Sequence, residues 1–224
     1  MMPRATVPTP TEPPIATKTR TLVYLATFHT ALLVASNAAG AKMIAVPGGM
    51  AASATVFSYM ATFVVLDVVA ELFGKMYSKL VIKVGLGALL ISVSFFELAI
   101  VAPAADFWNN QTAFQTTLGS SWRILLGGWT AYMASQYFDV WTFFRIKESR
   151  IGAPRLWLRA LISTALGQFV DTCIFMSVAF GGTFPLLPAI AGQYILKLIL
   201  AVASVPVIYL GVHWGRAMML RDAR

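Results

Sequence analysis

Charged residues are scarce in this sequence: Asp, Glu, Lys and Arg make up 12% of its 224 residues, while 58% are hydrophobic. A typical soluble domain is about 25% charged. The shortage of charge therefore excludes an ordinary soluble globular protein and predicts an integral membrane protein. Because the apolar runs are of helical length, the expected fold class is all-α.

Cysteine and histidine are nearly absent, with one Cys and two His. The lone Cys173 excludes a disulfide framework, and we interpret it as a small packing residue. The sequence also lacks a Walker loop, a His-Glu-x-x-His motif and a nucleophile elbow. We therefore expect no metal, no cofactor and no catalytic residue, and the chain is not expected to be an enzyme.

Long apolar segments are abundant. Spanning the hydrocarbon core takes about 20 mostly apolar residues as a helix. Six segments meet this requirement: residues 21–39, 53–73, 80–102, 123–144, 157–180 and 187–211. We expect a bundle of six transmembrane helices in one domain, residues 21–213, and a 3+3 inverted repeat is compatible with an odd number of spans in each half.

The tails and loops predict the topology. Residues 1–20 are rich in proline and threonine, which predicts a disordered tail. Residues 214–224 are expected to form a C-terminal tail. Most of the seventeen basic residues fall in these tails and in the loops on the same side, so the positive-inside rule places both termini in the cytoplasm. The net charge of +8 then reflects topology, and no nucleic-acid partner is expected.

Asp67 and Glu71 lie four residues apart in the second predicted span, so their carboxylates share one helix face. Because a charge near the bilayer centre costs roughly 3 kcal/mol, such residues usually serve a function. For Glu71, a salt bridge to Lys75 is as well supported as a ligand contact. For Asp67, the alternative to a ligand contact is a hydrogen-bonded packing role. The pair could also hold magnesium in a membrane lipid enzyme, although such ions prefer more oxygen ligands.

The motif Gln-x-x-Asp occurs twice, as Gln136 with Asp139 and as Gln168 with Asp171. A carboxylate accepts two parallel N–H donors, an amide both donates and accepts, and aromatic rings stack on flat ligands. The combination favours a flat, donor-rich heterocycle such as guanine. Rings at helical spacing from these groups are Phe63, Tyr132 and Phe175. Aromatic residues are common in membrane helices, so ordinary packing is the favoured interpretation of any one ring taken alone.

Lys197 lies near the middle of the sixth predicted span, where it either pairs with an aspartate or contacts a substrate oxygen. His29 is interpreted as a packing residue. The predicted substrate-binding set is Asn37, Asp67, Glu71, Ser135, Gln136, Asp139, Gln168, Asp171, Phe175 and Lys197, with Phe63 and Tyr132 as candidate stacking residues.

A family resemblance rests on several short motifs in a fixed order. They are Asn37 with Lys42, Asp67-Val-Val-Ala-Glu71 before Gly74, Ser135-Gln136 with Asp139-Val140, Leu156-Trp157-Leu158-Arg159, Ser163-Thr164, and Gln168 with Asp171-Thr172 and Phe175. In these motifs, over residues 22–213, the chain resembles the bacterial queuosine precursor transporters. The resemblance implies uptake of 7-deazaguanine bases, namely preQ0, preQ1 or queuine, across the bacterial inner membrane for queuosine modification of tRNA.

The sequence leaves the energy source open. Without an ATP site, uptake would depend on an ion gradient, on downstream trapping of the base, or on a separate energising module for which this chain is the substrate-binding subunit. The lipid bilayer and a small nucleobase are the expected partners, and a homodimer also remains open.

Overall fold

The computed structural model describes residues 17–39, 42–46, 50–119, 122–182 and 186–221. Within these ranges the chain forms long helices joined by short connections. The helices are α1 (Thr17–Ala38), α2 (Thr55–Phe73), α3 (Lys75–Val101), α4 (Gln111–Leu118), α5 (Trp122–Lys147), α6 (Leu156–Phe180) and α7 (Leu186–Arg221). Strands β1 (Met43–Val46) and β2 (Met50–Ser53) pair antiparallel between α1 and α2. The sequence predicted an all-α fold, so this two-stranded hairpin was not expected.

Each predicted span overlaps one of the six long helices, while the short α4 lies between the third and fourth spans. Within the described residues, five helices are long and apolar enough to cross a membrane, namely α1, α2, α3, α6 and α7. The more polar α5, which carries Gln136 and Asp139, is not among them. A multi-pass membrane protein follows from the five apolar helices, and six crossings stay a prediction.

Several helices extend beyond the apolar segments that predicted them. Helix α1 begins at Thr17 inside the expected N-terminal tail, α3 begins at Lys75 rather than at residue 80, and α7 continues to Arg221 through most of the expected C-terminal tail. The length of an apolar run matches the thickness of the hydrocarbon layer. The helix itself continues beyond the run, because its backbone hydrogen bonds can also form in the polar region of the membrane. Residues 1–16 and 222–224, the remainder of the expected tails, lie outside the described residues.

Helix α2 is the central element of the bundle. It contacts α1, α3, α5 and α7. About half of the residues in its most apolar 18-residue stretch are buried inside the protein, whereas only 6% are buried in the corresponding stretch of α3. Phe63, Leu66 and Val69 on α2 are fully buried. Polar residues on α2 therefore face protein rather than lipid.

The closest helix pair is α5 with α6, which run antiparallel. Gly167 on α6 allows this approach, because a Cβ there would lie 3.1 Å from the Asp139 Cβ and 3.3 Å from the Phe63 ring. The approach brings the two Gln-x-x-Asp motifs together beside α2. We call the end of the bundle that carries Lys147, Arg159 and Arg216 the basic end, and the opposite end the hairpin end.

Candidate functional site

Polar side chains form three clusters along one face of α2. Tyr59, Asp67 and Glu71 recur at multiples of four residues, so they lie one above another on the helix. Each marks one cluster. The hairpin-side cluster is Tyr59, Ser135, Asp171 and Lys197. The central cluster is Thr62, Asp67, Gln136, Asp139 and Thr164, together with the buried Gln168, which follows Thr164 by one helical turn. The basic-end cluster is Glu71, Lys147, Arg159 and Arg216.

The hairpin-side cluster is built around Asp171 of α6. Lys197 Nζ of α7 lies 2.6 Å from Asp171 Oδ2, and the Tyr59 hydroxyl donates to Asp171 Oδ1 at 2.7 Å. The Ser135 hydroxyl adds a longer contact of 3.4 Å to the same Oδ1. Lys197 thus makes the ion pair that was one of its two predicted roles. Both oxygens of Asp171 are occupied by protein donors, which satisfies this buried carboxylate.

The central cluster differs because most of its polar atoms have no partner. Asp67, Gln136, Asp139 and Gln168 are each at most 1% exposed. Thr164 Oγ1 donates to Asp67 Oδ2 at 3.3 Å, and Gln136 Nε2 donates to the Thr62 hydroxyl at 3.3 Å. Buried without a hydrogen bond of good geometry among the described residues are Asp67 Oδ1, Gln136 Oε1, both oxygens of Asp139 and both amide atoms of Gln168. The hydroxyls of Ser163 and Thr164 lie beside the Asp139 carboxylate without completing a well-aligned hydrogen bond.

This concentration of unpaired atoms makes the central cluster the candidate ligand site. An unsatisfied buried polar group costs about 1–3 kcal/mol, so native proteins contain few of them and rarely place several together. Asp67 and Asp139 also lie close enough to repel each other. A polar ligand with several N–H donors would relieve both the repulsion and the missing hydrogen bonds.

The basic-end cluster surrounds a single carboxylate. Glu71 Oε2 lies 2.9 Å from Lys147 Nζ and 2.6 Å from Arg159 Nη2, and Glu71 Oε1 lies 3.5 Å from Arg216 Nη2. These contacts join α2 to α5, α6 and α7. The predicted pairing with Lys75 is wrong: Lys75 is exposed, and α2 ends at Phe73 before a Gly74 turn with φ of 85° that breaks the i, i+4 register.

The predicted stacking residues are buried beside the clusters. Phe63 meets the Tyr59 ring edge-on at 5.7 Å, and the Tyr132 hydroxyl lies 3.1 Å from His29 Nε2. His29 Nδ1 also donates to the Thr62 carbonyl at 3.2 Å, so this buried histidine packs through polar contacts. Of the other predicted residues, Asn37 on α1 and Phe175 on α6 are half-buried towards the hairpin end.

Sequence reasoning missed several members of these clusters. Tyr59 could have been found, because it lies eight residues before Asp67 on the same face of α2. Lys147 and Arg159 could not have been identified as partners of Glu71 from the sequence, because they belong to other helices. Glu97, a further acidic residue inside a predicted span, was overlooked and is half-buried on α3. Among the residues that the structure describes, no group of three or more His, Cys, Asp or Glu side chains could hold a metal ion.

Comparisons with known proteins agree on one family. Residues 53–211 match the family model described as "Putative vitamin uptake transporter". A "Probable queuosine precursor transporter" of Bacillus subtilis (strain 168) is 30% identical over 164 residues, 72% of each chain. The "Queuosine precursor transporter" of Escherichia coli (strain K12) is 27% identical over 165 residues, 72% of this chain and 69% of the relative. No solved structure gives a significant match.

Proposed function

The chain belongs to the vitamin uptake transporter family, and from that premise we propose that it imports queuosine precursors, 7-deazaguanine bases such as preQ0, preQ1 or queuine, across the bacterial inner membrane. Two relatives carry the name of this substrate class. The observation in this chain that carries the proposal is the buried central cluster with its unpaired carboxylate and amide atoms. These residues lie within the matched range 53–211.

The chemistry of the cluster suits such a base. A 7-deazaguanine keeps the adjacent N1–H and exocyclic N–H donors of guanine beside a carbonyl acceptor. Asp139 lies beside the hydroxyls of Ser163 and Thr164, but neither of its oxygens has a well-formed hydrogen bond, so both can accept the two donors. The Gln168 amide has no partner among the described residues and can bind the carbonyl side. Asp171 is a weaker candidate for direct base binding, because Lys197 and Tyr59 already occupy its oxygens.

The flanking clusters suggest how the base passes. The central cluster lies between the hairpin-side and basic-end clusters, whose ion pairs join α6 to α7 and α2 to three other helices. In an alternating-access carrier each of these clusters opens in turn.

We assign the basic end to the cytoplasm, with both termini on that side and six crossings, in line with the charge distribution.

An inverted repeat of α1–α3 and α5–α7 fits this proposal. Asp67 lies in the second half of α2 and Asp171 in the second half of α6, and these two helices run in opposite directions. The two carboxylates then occupy corresponding positions on opposite sides of the midplane, as inverted repeats in transporters place binding residues.

The test is uptake of labelled preQ0, preQ1 and queuine in cells that cannot synthesise them, with queuosine in tRNA as a second readout. Wild-type protein should support uptake, and Asp139→Asn should lower the initial rate at low substrate by about a hundredfold, because it loses charge-assisted hydrogen bonds to the base. The matched control is Asp106→Asn, an exposed acid outside the clusters, which should transport normally. Lack of uptake of all three bases by folded wild-type protein would overturn the proposal.

The energy source is tested separately. Uptake that persists in proteoliposomes of the purified chain, and that follows an imposed proton gradient, would support a self-sufficient carrier. Copurification with an ATPase, together with loss of uptake in its absence, would instead make the chain the substrate-binding subunit of a larger transporter.

A further inference from the structure

A half-open cavity of about 370 Å³ lies at the basic end of the bundle. Helices α2, α6 and α7 and the loop before α6 form its walls, which include Glu71, Arg159, Tyr209, His213 and Arg216. Its charged residues belong to the basic-end cluster on the proposed path of the base, but base recognition in the central cluster assigns no ligand to the cavity. Its charge and its position at the end of the helices point to a different ligand.

The cavity carries excess positive charge. Lys147, Arg159 and Arg216 converge on Glu71, so three cations share one carboxylate. Arg159 is 3% exposed, and its Nε has no hydrogen-bond acceptor among the described residues. Arg216 makes the longest of the three contacts, and its side chain is 62% exposed. An anion in the cavity could therefore bind Arg216 without breaking the shorter pairs.

Exposed aromatic residues place the cavity at the level of the lipid headgroups. Trp157, Tyr209 and Trp214 are 44–46% exposed around this end of α6 and α7, and Tyr209 itself lines the cavity. Trp and Tyr are enriched at membrane interfaces, where their polar atoms reach water and their rings stay among the lipids. Towards the membrane interior, α7 presents the exposed apolar side chains of Val207 and Leu210.

We propose that this cavity binds the phosphate group of an anionic phospholipid, with Arg216 holding the phosphate, Arg159 adding positive charge beside it, and the acyl chains lying along the exposed apolar side of α7. Basic pockets between transmembrane helices are suited to such headgroups, since arginine binds phosphate oxygens through paired N–H donors. Val207 and Leu210 continue from the cavity towards the membrane interior as an apolar surface, along which the acyl chains of a lipid bound at Arg216 would lie. The site shares Glu71, Arg159 and Arg216 with the basic-end cluster, but lipid binding there does not depend on which base the central cluster carries.

The experiment is native mass spectrometry of the full chain, titrated with phosphatidylglycerol or with phosphatidylcholine. Wild-type protein should bind phosphatidylglycerol at least about tenfold more tightly than phosphatidylcholine. Arg216→Gln should lower the affinity for phosphatidylglycerol by about tenfold, because it loses one charge-assisted contact. The matched control is Arg145→Gln, which removes an exposed arginine of the same end that does not line the cavity. It should keep the wild-type preference.

Three results would overturn the proposal. Equal affinity of wild type and Arg216→Gln would exclude the cavity as the site. An equal loss in Arg145→Gln would show a general effect of surface charge. Displacement of the lipid by millimolar inorganic phosphate would identify a soluble anion as the ligand. Because Arg216 is largely exposed, the variant should fold, and an unchanged melting temperature would verify this.

Discussion

Asp67 and Glu71 lie one turn apart on the same helix face, yet their surroundings are opposite. Glu71 has three cationic partners from three helices, whereas Asp67 has one hydroxyl donor and faces a second carboxylate, Asp139. A carboxylate whose oxygens are all paired joins helices together. One whose oxygens remain unpaired in a buried position is available to a ligand. Whether the oxygens of a buried acid are paired therefore separates acids that join helices from acids that are candidates for ligand binding.

The strongest test of the comparison is Glu71→Gln. The substitution removes the counter-charge of Arg159 and leaves this buried cation without its ion pair. The free energy of unfolding should therefore fall by about 3 kcal/mol. The measurement is reversible unfolding in detergent micelles. Glu148→Gln, an exposed acid at the same end, is the control and should change stability little. Equal stability of both variants would contradict a structural role for Glu71.

The hairpin-side cluster should respond like the basic-end cluster. Lys197→Met leaves Asp171 buried without its cation, and we expect a loss of about 2–3 kcal/mol in unfolding free energy. Combining Lys197→Met with Asp171→Asn should cost less than the sum of the single changes, because the charge left behind is then removed as well. Additive losses in this double-mutant cycle would show that the two side chains are not coupled.

Gly167 tests whether the close approach of α5 and α6 shapes the central cluster. In Gly167→Ala the new Cβ would crowd the Asp139 Cβ and the Phe63 ring, and we expect a loss of about 1–2 kcal/mol together with weaker base uptake. Gly128→Ala on α5 is the matched control, since nothing lies within 4 Å of its added Cβ. This control should be stabilised by about 0.5–1 kcal/mol, as expected for alanine in a helix.

Asp139→Asn should reverse the pattern seen at Glu71. The neutral amide is easier to bury than a carboxylate without partners, so stability should stay within about 1 kcal/mol of wild type or increase. The same melting experiment, run with and without preQ1, should also show that the base stabilises wild type but not the variant. A large loss of stability would instead place Asp139 among the structural acids.

Features of these clusters that depend on residues close together in the sequence could be predicted, whereas contacts between distant residues could not. Long apolar runs predicted all six long helices, and four-residue spacing placed Asp67 and Glu71 on one face, because both patterns are local. The partners of Glu71 were not predictable, since Lys147 and Arg159 are brought near it only by helix packing. The hairpin of β1 and β2 was missed because its strands are only four residues long and lie almost entirely in the predicted loop between the first two spans.

The smallest expected effect distinguishes two lysines that sequence reasoning would rank the other way. Lys75 follows Glu71 by four residues but is separated from it by the Gly74 turn, whereas Lys147 belongs to α5 and lies 2.9 Å from the carboxylate. Lys147→Gln should cost about 0.5–1 kcal/mol, the value of a partly exposed ion pair, and Lys75→Gln should cost nothing measurable. In a Glu71→Gln background, the cost of Lys147→Gln should disappear. A coupling of Glu71 to Lys75 that exceeds its coupling to Lys147 would mean that local spacing, rather than packing between helices, selects the partners of this carboxylate.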